Sequence, residues 1–411
     1  MKIAPSDRYY PKGFGLRNEI GGLLKKSYHS QLVEEIRCAG NVLQRDGITF
    51  RMAKEFGFCY GVDRAVEYAY EALQKFPGRR IFLANEIIHN PHVNERLKEK
   101  GVIFLHERID GVEGLREGDV VIIPAFGVTV PEMDFFREKG CIVVDTTCGS
   151  VMNVWKNVDR YGSDGFTAII HGKATHEETK ATCSRLSQFP EGRYLVVRNL
   201  EESEVVCRYI EGGGDRDAFL DRFRDATSVG FDPDRDLVHI GVANQTTMLS
   251  RESLEIAGRL REAMIRRHGE AGLGTHFRMM DTICRATQER QDAVLELIRE
   301  GVDLMLVIGG YNSSNTSHLL EIASARVPAY HIDDPSCIVS LAEIRHKPVD
   351  SHDEVTAREW FPGAPCVIGI TAGASTPNNK IGEAVERILM LRAGAAGPAK
   401  GPSQEILSWK R

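Results

Sequence analysis

The 411-residue sequence lacks any apolar run long enough to cross a bilayer. Its longest runs, such as Val120-Val121-Ile122-Ile123, break within a few residues, far short of the roughly 20 that a spanning helix needs. It also lacks an excess of positive charge. Lys and Arg number 52 against 58 Asp and Glu, a net charge of -6, so the overall field does not favour nucleic acid and any anion site must be local. No Walker loop and no Gly-x-Gly-x-x-Gly follows a strand-like segment, which argues against a nucleotide or nicotinamide cofactor. Neither the short Cys-x-x-Cys of zinc sites nor the compact ferredoxin run is present. There is no signal-peptide pattern. Asp7, Glu19, Glu34 and Glu35 argue against an acid-poor transit peptide, and a cytoplasmic protein is expected. Nine cysteines, an odd number without a secretory signal, read as reduced thiols or ligands rather than as a disulfide framework.

What is present is an ordinary globular composition, 42% hydrophobic and 27% charged, in a chain long enough for two or three domains. From about Ile48, short β-branched segments alternate with amphipathic helical ones. The strand candidates are Ile81–Leu83, Val120–Ile123, Ala168–Ile170, Val238–Ile240, Leu304–Ile308 and Cys366–Ile370. The helix candidates are Asp63–Lys75, His92–Lys100, Gln288–Arg299 and Gly382–Arg392. The alternation predicts an α/β fold with mainly parallel sheets covered on both faces. Residues 1–47 read as an N-terminal extension with a helix near Ser30–Leu43. Three units follow, 48–147 with Cys59, 148–281 and 282–392, and then a flexible tail over 393–411 that Trp409 could anchor. The Gly- and Asp-rich stretch from Glu211 to Asp236 reads as a surface excursion.

Cys59, Cys148 and Cys284 stand apart from the other cysteines. Each sits in a polar hinge between an extended stretch and a helical one, and two hinges nearly repeat: Asp145-Thr146-Thr147-Cys148 and Asp281-Thr282-Ile283-Cys284. Three similar units, each giving one thiolate, would share a metal centre with one coordination position free; spacing alone does not choose between zinc and an iron–sulfur cluster. Cys38, Cys141, Cys183, Cys207, Cys337 and Cys366 read as core filler. Five further loops follow strand candidates: 87–91 with His89, 170–179 with His176 and Glu178, 243–247 with Thr246, 309–316 with Ser313, Ser314 and Asn315, and 371–377 with Ser375. Single Ser, Thr or Asn residues there can be helix caps, but together the loops describe a pocket dense in donors, suited to a phosphate or diphosphate. Glu178 serves either as a capping acid or, if buried, as a proton donor.

Read in order, Gly-Phe-Cys59-x-Gly-Val-x-Arg-Ala, Asp-x-Thr-Cys148, His176-x-Glu178, Gln-Thr246-Thr247, Asp-x-Ile-Cys284-x-Ala-Thr, Asn-Ser313-Ser314-Asn315 and Thr-Ala-Gly-Ala-Ser375-x-Pro resemble the 4-hydroxy-3-methylbut-2-enyl diphosphate reductase family over roughly residues 50–390. The resemblance implies three pseudo-symmetric αβα units around a central cavity. It implies a [4Fe–4S] cluster on Cys59, Cys148 and Cys284, with the apical iron open to the substrate hydroxyl. His89, His176, Ser313, Ser314, Asn315 and Ser375 would bind the diphosphate, Glu178 would relay protons and Thr246 would orient the hydroxyl. The family reaction removes that hydroxyl as water with two electrons and two protons, giving isopentenyl and dimethylallyl diphosphate. With no flavin or nicotinamide fingerprint in the chain, the electrons would come from an external ferredoxin or flavodoxin. Phe126 stands where many bacterial members have a second His, and His176-Glu177-Glu178 replaces the usual His-Pro-Glu. Both departures, with the N-terminal extension, resemble the cyanobacterial and plastid branch. The alternatives are a zinc hydrolase using the same cysteines with Glu178 as base, and a non-catalytic cluster sensor or scaffold.

Overall fold

The structure, a computed structural model, describes residues 8–280 and 282–395. Three sheets of five, four and five strands carry the fold. Every pairing within them is parallel except that of the edge strand Val42–Arg45 with Ile48–Met52. The first sheet runs Tyr9–Tyr10, Ile142–Asp145, Val120–Ile123, Ile81–Leu83, Ile103–Phe104. The second runs Phe277–Met279, Ile240–Asn244, Thr167–His171, Tyr194–Val197. The third runs Ala329–Ile332, Leu304–Ile308, Cys366–Ala372, Ile48–Met52, Val42–Arg45.

Side chains alternate across a strand, so a sheet covered on both faces must be apolar at successive positions. That is what the strands show. In the first sheet Val120 and Ile122 pack into one core, and Val121 and Ile123 into another on the opposite face. In the second sheet Ile169 and Ala168 divide in the same way, as do Leu306 and Val307 in the third. Each sheet is therefore the middle of an α/β/α sandwich.

Several elements differ from the sequence reading. Ile48–Met52, expected to open the first unit, is an inner strand of the third sheet, paired in parallel with Cys366–Ala372. The expected helix over 30–43 ends at Cys38, because Gly40 and Asn41 take positive φ and turn the chain into the strand Val42–Arg45. Residues 8–47 are built into two units. Tyr9–Tyr10 extends the first sheet, Ile20 and Tyr28 enter its core, and Val33 and Ile36 enter that of the third. Cys38 is exposed rather than core, since the short helix turns its Val33–Ile36 face inward. The other five cysteines assigned to the core are buried. The stretch 211–236 is not merely a surface excursion, because Phe219, Phe223 and Phe231 bury against the second sheet. The strand expected at Val238–Ile240 begins at Ile240 and runs to Asn244. Asp281 and the tail beyond Ala395, with Trp409, lie outside the described residues.

Candidate active site

Cys59, Cys148 and Cys284 are each the N-cap residue of a helix, with extended backbone: Tyr60–Lys75, Gly149–Ser163 and Arg285–Arg299 follow them. A helix N-terminus favours negative charge, so the repeated hinge places each sulfur where a thiolate is stabilised. The Cys59 sulfur accepts the Val62 N–H at 3.5 Å. Burial nevertheless pushes the Cys59 and Cys148 thiols up, and the neighbouring cysteines add to this. One counter-charge is built in. Arg290 is 3% exposed, donates to the Gly57 carbonyl at 2.8 Å, and lowers the Cys59 thiol by its charge. Gly61 is needed for close approach, because a Cβ there would lie 2.5 Å from the Cys148 sulfur.

The three thiols form one side of a cavity of about 110 Å³. The other side is made by loops from all three units: His89, His176, Glu178, Thr246, Ser313, Ser314, Asn315 and Ser375. All eleven residues singled out in the sequence therefore meet at one cavity, far apart in the chain but each at a strand end or helix start. A larger cleft of about 980 Å³ lies outside it, sharing His89, His176 and Ser314 but none of the cysteines.

Glu178 is 3% exposed, and its two carboxylate oxygens accept the Thr246 N–H at 2.6 Å and hydroxyl at 2.8 Å. Both bonds favour the charged form, but burial outweighs them and pushes the carboxyl up to about 7. Glu177 points elsewhere, half-exposed and 3.8 Å from Nε2 of His89. His176 accepts the Glu178 N–H on Nδ1 at 3.1 Å, and burial lowers the ring to about 3. The neutral ring thus carries its proton on Nε2, which is buried and unpartnered. His89 faces Glu86 through Nδ1 at 2.9 Å, and its Nε2 is likewise buried without a partner.

Asn315 accepts the Ala374 N–H at 2.9 Å, which leaves its buried Nδ2 free. Ser313 caps the helix Ser314–Ser324 by accepting the Thr316 N–H. Ser375 makes a long bond to the His89 carbonyl at 3.3 Å. Buried donors left unpaired are costly, and Nε2 of His176 and Nδ2 of Asn315, on residues lining one cavity, suit an anion. Phe126 stacks flat on His89 with ring centroids 4.7 Å apart.

Two contributors were not legible in the sequence. Arg290 lies inside the helix candidate Gln288–Arg299, where nothing in the sequence sets it apart. Gln245 accepts from the Lys173 N–H and the Thr179 hydroxyl and donates to Thr247 and Ser314, tying the middle unit to the third. A Gln beside two Thr gives no sign of this role.

The chain matches the model of the LytB protein family over residues 50–389. It is 49% identical to the 4-hydroxy-3-methylbut-2-enyl diphosphate reductase of Gloeobacter violaceus, covering 98% of this chain and 97% of that protein. To the same enzyme of Thermosynechococcus vestitus it is 50% identical, covering 95% and 96%. Among solved structures, an (E)-4-hydroxy-3-methyl-but-2-enyl diphosphate reductase, the terminal enzyme of the non-mevalonate pathway, aligns with a TM-score of 0.51 at 30% identity. It covers 83% of this chain and 99% of that one. The Plasmodium falciparum reductase shares the fold with a TM-score of 0.60 at 21% identity, over 82% and 86%. With its strand-end cysteines and polar loops at one cavity, and relatives about half identical along nearly their whole length, the chain belongs to the LytB protein family and is an oxidoreductase of the 4-hydroxy-3-methylbut-2-enyl diphosphate reductase type.

Proposed function

We propose that the chain removes the hydroxyl of (E)-4-hydroxy-3-methylbut-2-enyl diphosphate as water, using two electrons and two protons, and releases isopentenyl and dimethylallyl diphosphate. The observation that carries this reading is the single cavity lined by three thiols on one side and a buried acid with unpaired donors on the other. A [4Fe–4S] cluster on Cys59, Cys148 and Cys284 would supply electrons and a Lewis-acidic iron for the hydroxyl. The donor set fits such a group. The thiols sit at helix N-termini, burial opposes thiolate formation unless a positive centre is present, and Gly61 leaves room beside Cys148. A single zinc ion, with Zn–S near 2.3 Å, would draw three sulfurs within about 4 Å of one another. Among the described residues, the sets of ligand atoms that gather within 4.8 Å do not include these three cysteines, which favours the larger cluster over zinc.

The chain's own residues supply the rest. Nε2 of His176 and Nδ2 of Asn315 donate to the diphosphate, with Ser313, Ser314 and Ser375 completing the pocket. His89 lines the same pocket, with Glu86 on its Nδ1 side. This remote binding energy positions the reacting hydroxyl. Glu178, with its carboxyl near 7, exists partly as the acid at neutral pH and supplies protons, while the Thr246 hydroxyl links it to the substrate oxygen. The electron donor would be a ferredoxin or flavodoxin. Anaerobic purification tests the reading: brown protein with about four iron and four sulfide per chain, and reductive turnover of the diphosphate. Colourless protein with stoichiometric zinc and no sulfide would overturn it.

A further inference from the structure

The helix Arg285–Arg299, which follows Cys284, buries two consecutive polar side chains, Arg290 and Gln291. Gln291 accepts the Ser250 N–H and donates to the Met248 carbonyl, each at 3.2 Å. It braces the helix against the middle unit with a neutral side chain whose amide is engaged at both ends. Arg290 donates to the Ala286 carbonyl in its own helix and to the Gly57 carbonyl in the hinge of Cys59, both at 2.8 Å.

The neighbours differ in what is left over. An arginine stays charged even when buried. The Nε of Arg290 is buried without a partner, and among the described residues Arg290 has no ion pair with a carboxylate. A cation out of water is costly unless an anion stands near it, and two neutral carbonyls compensate it only in part. Bracing alone does not require that cost, because Gln291 braces without a charge. The charge has a visible target. Burial raises the Cys59 thiol, and the Val62 N–H and the Arg290 charge work against it. Arg285, the other arginine at this end of the helix, has a side chain 90% exposed and paired with Glu289 at 2.8 Å, so solvent and that carboxylate screen its field.

We propose that Arg290 is a positioning residue for electron transfer, whose fixed buried charge raises the reduction potential of the metal centre held by Cys59, Cys148 and Cys284. The proposal rests on reading those thiols as the ligands of an iron–sulfur cluster. An entering electron leaves the external donor oxidised by one electron and adds one negative charge to a centre already bearing three thiolates. A cation beside Cys59 in a poorly solvated site stabilises the more negative state by more, and net charge is one of the levers that set such potentials. Arg290 itself exchanges neither electron nor proton.

The test is a redox titration of the full chain carrying its cluster, without substrate. It follows the paramagnetic signal of the reduced state, so that only loaded chains are read. Arg290→Gln should lower the midpoint potential by about 59 mV or more, the equivalent of a tenfold change in a one-electron equilibrium. Arg290→Lys, which keeps the charge but not the fork of two carbonyl bonds, should stay near the wild type. Arg285→Gln should leave the potential where it is. A wild-type potential in Arg290→Gln overturns the proposal. So does an Arg290→Lys variant that shifts as far as Arg290→Gln, since the bonds and not the charge would then matter. If Arg290→Gln takes up no cluster, Arg290→Lys decides. Loading at the wild-type potential supports the charge, whereas a shifted potential or an empty centre overturns it in favour of a brace. A colourless wild type holding zinc fails the cluster reading itself, and this proposal with it, before any variant is compared.

Discussion

On one side of the central cavity, three helix N-termini present thiols among Gly61, Val62 and Ala125, and burial drives Cys59 and Cys148 toward the neutral form. On the other, bonds of 2.6 to 3.5 Å tie Thr246 to Glu178, Ala374 to Asn315 and, across from the second unit to the third, Gln245 to Ser314. The thiol wall has ligands and too little positive charge; the polar wall has a finished scaffold and spare donors. Under the function proposed above, a metal centre completes the first, whereas the second is preformed for its anion. A family that couples a redox group to a diphosphate substrate must build both, and here they come from the same strand ends.

The largest expected effect breaks the thiol wall. Cys148→Ser should reduce iron to background and abolish turnover, yet leave inorganic diphosphate binding by the polar wall nearly unchanged. If calorimetry shows that binding lost too, the walls are not independent. Next comes the acid between them. Glu178→Gln should retain iron and sulfide and cost roughly 10²–10⁴ in kcat with a chemical reductant; wild-type turnover would remove Glu178 from the chemistry. Its titration supplies a sign. A carboxyl raised from 4.5 to about 7 stays protonated below that value, so turnover should fall as pH rises through about 7, and the variant should lose this limb. Between those values the folded state holds the extra proton. Burial of Glu178 should therefore cost stability progressively as pH rises through that window, by about 3 kcal/mol once it is fully ionised.

Smaller effects sharpen the polar wall. Asn315→Ala should weaken diphosphate binding by roughly 1–3 kcal/mol with iron unaffected, because it removes one unpaired donor and the partner of the Ala374 N–H. Unchanged affinity would take Asn315 out of the site. Smallest is Phe126→Leu, which removes the ring stacked on His89 and should cost about 0.5–1.5 kcal/mol in diphosphate affinity at equal kcat. A purely structural role would instead lower thermal stability and leave affinity alone.

Much of this site was legible before any coordinates. Hinges that combine polar residues with a strand-like run on one side and a helical run on the other mark strand ends, and Cys59, Cys148 and Cys284 stand at such ends. The loops carrying His89, His176, Ser313 and Ser375 were visible for the same reason. The strand Ile48–Met52 was misplaced because periodicity reveals that a segment is a strand but not which sheet receives it. Phe219, Phe223 and Phe231 are hidden in the sequence because Gly and Asp around them read as loop; Phe219 and Phe223 bury together at the short helix Arg216–Arg222, and Phe231 joins them from the loop beyond.

The choice between Glu177 and Glu178 shows where each kind of information stops. Sequence order determined that an acidic pair follows His176, that three cysteines recur at strand-to-helix hinges, and that both sheet faces would be covered. These follow from local rules: side-chain period, capping and turn chemistry act between residues a few positions apart. Only the tertiary structure decided that Glu178 is the buried acid held by Thr246 and that Arg290 stands beside the thiols. Burial and Coulomb energy depend on distance in space, and here the partners are brought together from three sheets.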